Sequence, residues 1–173
     1  RAGIEKYEIV RENGVWAKIV KPRPPEMDEW THHRHGPDGN PVSRDRIVGP
    51  PARVQWLDGP AWPRSHHTGQ LAGASAGGRL FYILDEAPVQ YVGPERLYLS
   101  ARDAYNGFLL WKRPVGRFSP GEGDRIHLGD RPFVAAGDGL FTVLSPGEPL
   151  AALDAATGDV VKTYSGKTPF LVA

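Results

Sequence analysis

The residues whose types suit chemistry are concentrated in one stretch near the start of the chain. It holds three histidines and three carboxylates: Asp28, Glu29, His32, His33, His35 and Asp38. Imidazole is a common metal ligand, and carboxylates complete many metal sites. The histidines follow neither a helical i, i+4 pair nor a strand alternation that includes all three. The sequence therefore favours a solvated, hydrogen-bonded loop, or a capping loop with Trp30 in the core, and we assign no metal ligands.

Other signatures of catalysis and cofactor binding are missing from the sequence. There is no cysteine, which excludes disulfides and cysteine metal sites within this span. The glycine pair in Gly121-Glu122-Gly123 precedes no helix, so it predicts no phosphate cradle. A nucleophile elbow and a paired-carboxylate arrangement are also lacking, and we assign no catalytic residues. The net charge of +1 gives no footprint for nucleic acid or an anionic membrane surface.

The elements that must position any site are predicted to be β-strands. The 21 glycines and 17 prolines demand many turns and few long helices. No apolar run reaches the roughly 18 residues of a transmembrane helix. A hairpin is predicted from residues 4–10 and 15–20 around Asn13-Gly14. Further strands are predicted at residues 50–57, 79–84, 108–111, 132–136, 140–144, 150–153 and 160–164. Residues 128–166 are expected to form an antiparallel meander of four short strands, and residues 71–115 a longer version of it.

The stretch from Ala101 to Trp111, ARDAYNGFLLW, is the strongest pattern in the chain. Asn106-Gly107 is a hairpin signal because both residues tolerate a positive φ. Asp103 is placed to accept hydrogen bonds from turn amides. The frame returns in AALDAATGDVVK, where Ala152, Asp154, Thr157 and Gly158 occupy the matching positions. The two copies lie 51 residues apart. An internal repeat at this period indicates a propeller or a repeat array.

The pattern A-x-D-x-x-[TN]-G-x-x-x-W resembles the tryptophan-docking motif of PQQ-like (quinoprotein-type) β-propellers. The first copy matches at Ala101, Asp103, Gly107 and Trp111, and the second has Lys162 in place of the tryptophan. The resemblance implies an all-β fold, a partial propeller of four-stranded antiparallel blades in an incomplete ring. It also implies that Trp111 docks on the neighbouring blade, rather than serving as a stacking platform for a quinone or a sugar.

On that resemblance we divide the chain into five parts. The expected parts are a hairpin and Pro-rich linker (1–27), a lead-in loop and first strand (28–60), a blade with a long insertion (61–115), a second blade (116–166) and the start of another (167–173). The middle strands of the first blade are separated by nine more residues than those of the second, an insertion expected in loops. The chain begins with Arg1 and ends in an apolar run, so we interpret it as part of a larger ring whose remaining blades are its partners.

Ligands of propellers lie near the axis, on loops that rigid blades hold. That position makes His35, Asn40, Arg64 and His66 the candidate ligand residues, together with His67 and His127 at the same mouth. We commit none of them to a cofactor. Solvated loop side chains are the alternative for each.

Three functions follow from the resemblance. One is a propeller without catalysis in this span that acts as a binding or assembly scaffold for a protein or a small molecule. Another is a quinoprotein dehydrogenase that binds PQQ with calcium, although members of that class usually carry a vicinal cysteine pair and this chain has none. The last is a propeller appended to an upstream catalytic domain. The family also implies a bacterial, exported or periplasmic protein.

Overall fold

A computed structural model describes residues 7–19, 22–32, 34–47, 49–50, 52–57, 72–116, 133–145 and 147–166. Within these ranges the chain forms ten β-strands and no helix. The strands make one two-stranded and two four-stranded antiparallel sheets, none of them closed. The prediction of an all-β fold is confirmed.

Two compact units divide the chain, Arg1–Asp28 with Arg44–Gly49 and Glu29–Ser43 with Pro50–Ala173. The first unit contains the predicted hairpin, β1 (Tyr7–Val10) and β2 (Trp16–Ile19). Asn13 and Gly14 in its turn have φ values of 50° and 140°. A positive φ suits asparagine and glycine, which explains the turn at this dipeptide.

The second unit contains the two four-stranded sheets. The first sheet consists of β3 (Ala72–Ala76), β4 (Arg79–Asp85), β5 (Leu97–Asp103) and β6 (Leu109–Pro114). The second consists of β7 (Phe133–Ala136), β8 (Gly139–Thr142), β9 (Ala151–Asp154) and β10 (Val160–Thr163). In both sheets the spatial order follows the chain, so each is a meander. The two predicted meanders are therefore confirmed.

The two sheets share a buried cluster, and each contributes one face to it. Its members are Ala74, Ala76, Phe81, Ile83, Leu97, Leu99, Ala101, Trp111, Phe133, Ala135, Leu140, Ala151, Leu153 and Ala155. Phe81 pairs with Ala101 in the first sheet, and Leu140 pairs with Leu153 in the second. In the repeated motif Ala152 is the equivalent of Ala101. Successive side chains of a strand point to opposite faces, so Leu153 lies on the face opposite to that of Ala152. The sheets thus use opposite faces to form one core.

Most of the nine-residue insertion lengthens strands instead of a loop. β4 and β5 have seven residues each, whereas β8 and β9 have four each. Only the smaller part of the difference lies in the connections, residues 86–96 and 143–150. The expectation that the insertion forms loop alone was wrong. The Asp85 carboxylate accepts hydrogen bonds from Ala87 N (3.0 Å) and Arg96 N (2.9 Å), which closes the longer hairpin.

The predicted strand at residues 50–57 is not formed at the described positions of that range. Pro50 lacks a backbone donor, which weakens a ladder at this point. The side chains of Gln55 and Trp56 bond to a distant turn, as described below.

Candidate binding site: the two tryptophan-docking turns

The turn between β5 and β6 is ordered by its own aspartate. Asp103 Oδ1 accepts hydrogen bonds from Tyr105 N (2.8 Å) and Asn106 N (3.0 Å). Gly107 N donates to Asp103 O at 2.9 Å, and Gly107 has a φ of 77°. The φ of Asn106 is not positive. The expectation of a two-residue Asn-Gly turn with positive φ at both positions was therefore wrong, because Asp103 caps a longer turn that ends on a single left-handed glycine.

The turn between β9 and β10 repeats this geometry. Asp154 Oδ1 accepts hydrogen bonds from Ala156 N (2.8 Å) and Thr157 N (2.9 Å), and Gly158 N donates to Asp154 O at 2.8 Å. Gly158 has a φ of 76°. The same turn therefore forms twice from sequences that share the aspartate and the glycine.

Local hydrogen bonds also set the charge of the second turn. The donors Thr157 N and Ala156 N hold the pKa of the Asp154 carboxyl below its ordinary value of 3.8, and the positive charge of Arg79 lowers it further. Arg79 also pairs with Asp138, with 3.3 Å between Nη1 and Oδ1. Asp154 is thus an anionic cap at neutral pH.

Trp111 docks on the second turn. It is 8% exposed, and its Nε1 donates to Ala155 O at 3.0 Å. A Cβ added at Gly158 would lie 2.6 Å from Trp111 Cδ2, so the indole rests directly on the glycine. Arg113, two residues on, donates to Gly158 O. The structure places Trp111 against the segment from Ala152 to Gly158, where the sequence predicts it.

Trp56 docks on the first turn in the same way. Its Nε1 donates to Ala104 O at 3.1 Å, and a Cβ at Gly107 would lie 2.5 Å from Trp56 Cδ2. Gln55 Nε2 donates to Tyr105 O at 2.6 Å. Sequence reasoning missed this role and predicted only a strand here. The available signal was an isolated tryptophan 48 residues before Ala104, close to the 44 that separate Trp111 from Ala155.

Lys162 occupies the register position of Trp111 in the second sheet. Trp111 pairs with Ala101 and Lys162 pairs with Ala152, each beside a bulge one residue earlier in its strand. Lys162 is exposed, and its Nζ lies 4.7 Å from the centroid of the Tyr164 ring. Residues 111 and 162 therefore have equivalent backbone positions in their sheets, but residue 162 carries an ammonium group where residue 111 carries an indole.

The histidine-rich segment meets the first strands of both sheets. Ser75 N on β3 donates to Trp30 O at 2.6 Å, and Ala135 N on β7 donates to Thr31 O at 2.9 Å. His32 and His35 are 5% and 4% exposed and exchange two backbone hydrogen bonds with each other. The expectation of a solvated loop was wrong for these two residues, because the segment is held between two sheet edges.

The candidate ligand residues fall in different settings. His35 is buried with a φ of 70°, and its ring meets Trp30 edge-on at a centroid distance of 5.1 Å. Asn40 is exposed in a turn where its N donates to Asp38 Oδ1 at 3.2 Å. The others lie outside the described residues: His33, Arg64, His66, His67 and His127. In the described ranges no group of three or more histidine, aspartate or glutamate residues is arranged to hold a metal ion.

Comparisons with other proteins give no family for the chain. No protein-family model matches it, and no curated protein matches it. The part of the chain that the structure describes contains no helix of the length and apolarity needed to cross a bilayer.

Proposed function

We propose that this chain is a section of a β-propeller with PQQ-like repeats and that it acts as a binding or assembly scaffold without catalysis of its own in this span. The observation that carries the proposal is the repeated docking of an indole on a glycine-floored turn. Trp111 rests on Gly158 and Trp56 rests on Gly107, and each indole N–H reaches the carbonyl of a matching alanine.

The way the two sheets share their core also supports a propeller. The first sheet uses the face of Phe81 and the second uses the opposite face, that of Leu140. In this arrangement unlike faces of successive sheets meet, which is a heterologous contact. When such a contact is repeated with a constant rotation, it generates a ring. A two-fold sandwich would instead bury equivalent faces. The meander order of both sheets suits propeller blades in the same manner.

A scaffold role fits the chemistry of the described residues better than a dehydrogenase role. The indoles and the aspartates of the two turns are engaged in contacts that hold the fold. Trp111 is too buried to serve as a stacking platform for a quinone or a sugar. We extend the proposal to an exported or periplasmic location, as the resemblance implies.

Two measurements test the proposal. A crystal structure of the full-length protein that contains this chain is expected to show a closed ring of four-stranded blades, and two sheets packed as an isolated sandwich would contradict the architecture. The same protein titrated with PQQ and Ca²⁺ is expected to show no saturable change in quinone absorbance and no dye-linked oxidation of alcohols or aldoses. Saturable PQQ binding with turnover would replace the scaffold with a quinoprotein dehydrogenase.

A further inference from the structure

Two of the three asparagines in the chain are followed by glycine, in Asn13-Gly14 and Asn106-Gly107. An asparagine loses its side-chain amide when the backbone nitrogen of the next residue attacks its Cγ atom. Glycine leaves that nitrogen unhindered, because it has no side chain. The third asparagine, Asn40, precedes Pro41, whose nitrogen has no hydrogen to release. The sequence therefore offers two equivalent sites for this reaction, and only the fold distinguishes them.

In the turn of residues 103–107 the fold engages the atoms that would have to react. Gly107 N donates its hydrogen to Asp103 O at 2.9 Å, and Asn106 Oδ1 accepts a hydrogen bond from Phe108 N at 2.8 Å. Gly107 is also buried, and a Cβ added to it would lie 2.5 Å from Trp56 Cδ2. Attack by this nitrogen requires that its hydrogen bond breaks and that the turn opens, so folding slows the reaction here.

In the turn between β1 and β2 the fold leaves the same atoms free. Asn13 and Gly14 are both exposed, as are the residues on either side of them. Within the described residues, neither the Gly14 N–H nor the Asn13 carboxamide makes a hydrogen bond. Trp16 Nε1 donates to Glu12 O at 3.0 Å, which holds the turn together without engaging either reacting group. Solvent therefore reaches the Gly14 N–H while the hairpin is intact.

We propose that Asn13 is a site of spontaneous deamidation in the folded protein and that the turn of residues 103–107 protects Asn106 from the same reaction. Gly14 N gives its proton to the solvent and forms a bond to Asn13 Cγ. The Cγ–Nδ2 bond then breaks, and the side-chain nitrogen leaves as ammonia. Water opens the resulting cyclic imide. Opening at Cγ leaves an aspartyl residue, whereas opening at the backbone carbonyl leaves an isoaspartyl residue whose main chain runs through Cβ and Cγ.

The reaction changes the hairpin in charge and in length. A carboxylate replaces a neutral amide, which lowers the formal net charge of the chain from +1 to 0. The isoaspartyl product also adds one carbon to the main chain of a turn in which Asn13 has a φ of 50°. A two-stranded ribbon has little stability of its own, so this product is expected to weaken the pairing of β1 with β2. The inference does not depend on the proposed propeller.

The test compares both sites in one molecule. The full chain is incubated in a mildly alkaline, ammonia-free buffer, digested with trypsin and analysed by mass spectrometry, and a digest at zero time corrects for conversion during work-up. Trypsin releases the two sites in separate peptides, ENGVWAK and DAYNGFLLWK. In the folded chain we expect conversion at Asn13 to be at least about tenfold faster than at Asn106. In guanidinium chloride the two rates should become similar, because both asparagines precede glycine.

Hydrogen exchange gives an independent readout, since exchange and imide formation both begin with loss of the amide proton. The Gly14 N–H should exchange much faster than the Gly107 N–H, and equal protection would contradict the inference. Asn13→Gln lengthens the side chain by one methylene, which disfavours ring closure, and should remove the conversion in the first peptide. Equal rates at the two sites of the folded chain, or no conversion at Asn13, would overturn the inference. So would an unchanged ratio of the rates in guanidinium chloride, because the sequence and not the fold would then set them.

Discussion

The two repeats form the same turn but differ in one residue of the strand that follows it. Asp103 and Asp154 make the same cap, and Gly107 and Gly158 have φ values of 77° and 76°. Beyond the turn, the same register position holds Trp111 in one sheet and Lys162 in the other. A few adjacent residues are thus enough to form the same turn twice. The docking of one sheet on the next depends instead on which side chain occupies a single position of the strand.

The comparison also separates two ways of docking an indole. Trp111 lies in β6, and Arg113 beside it bonds to the same turn, whereas Trp56 lies outside the strands that the structure describes. The two indoles nonetheless reach their turns with similar Nε1 to carbonyl distances, 3.0 Å and 3.1 Å. The turn therefore fixes the pose of the ring, and we expect the segment that carries the tryptophan to decide how much the ring contributes to stability.

The largest expected effect comes from removing the strand-borne indole. Trp111→Ala should lower the free energy of unfolding by roughly 3–5 kcal/mol, as truncation of a core tryptophan does. Trp56→Ala should cost about 2 kcal/mol, because the half-buried ring gives up less apolar contact. Urea denaturation followed by circular dichroism measures both. Equal losses would contradict the distinction between the two carriers.

The next effect comes from the floor of the second turn. Gly158→Ala places a methyl group 2.6 Å from Trp111 Cδ2 at a φ of 76°, so it combines backbone strain with displacement of the indole. Gly147→Ala carries the strain alone, since its new methyl group meets nothing within 4 Å. We expect the first change to cost about 1–3 kcal/mol more than the second. Equal urea midpoints for the two variants would show that the ring does not rest on the glycine.

The parts that the sequence predicted are those that local rules determine. The hairpin at Asn13-Gly14, the glycine turns before β4 and β8 and the cap at Asp103 each depend on a few adjacent residues. Strand positions followed because apolar residues with turn signals between them restrict the possibilities. Where predicted strands formed, most of their boundaries moved by a residue or two, as for β8, predicted at 140–144 and observed at Gly139–Thr142.

The parts that the sequence did not predict depend on distant partners. Trp56 docks 48 residues away, and no local period marks a tryptophan that lies outside the strands. His32 and His35 are buried because the strands β3 and β7 bind the adjacent carbonyls, which a loop-like composition does not reveal. The lengthening of β4 and β5 escaped notice because a count of extra residues does not distinguish strand from loop. The ligand candidates Arg64 and His66 lie outside the described residues and remain predictions.

A smaller effect concerns the pH dependence that the second cap contributes. The pKa of Asp154 is lowered in the folded state, so its carboxylate stabilises the fold above its ordinary pKa of 3.8, and this contribution disappears as the pH falls through the lower folded pKa. Asp154→Asn keeps an acceptor oxygen but removes the charge. We expect the variant to have a lower urea midpoint at neutral pH and to converge with the unmodified chain in strong acid.

The control for that experiment is Asp159→Asn in the same turn. It removes an equal charge, but none of the described backbone amides donates a hydrogen bond to the Asp159 carboxyl. The backbone N of Asp159 instead donates to Thr157 Oγ1 at 3.2 Å. Its midpoint should follow that of the unmodified chain across the pH range. If both variants converge with the unmodified chain in the same way, the pH dependence belongs to net charge and not to the cap.

The smallest expected effect is at Lys162, where the comparison is sharpest. Its backbone position matches that of Trp111, yet its side chain is exposed and lies over the ring of Tyr164, so Lys162→Ala loses only a surface contact. Such changes alter stability by about 0.5 kcal/mol or less, several times below the loss expected at Trp111. Urea denaturation of both alanine variants gives the ratio. The two residues share a strand position beside a bulge and differ in their side chains. A loss at Lys162 comparable to that at Trp111 would therefore mean that this position, and not the indole, determines the stability of the junction.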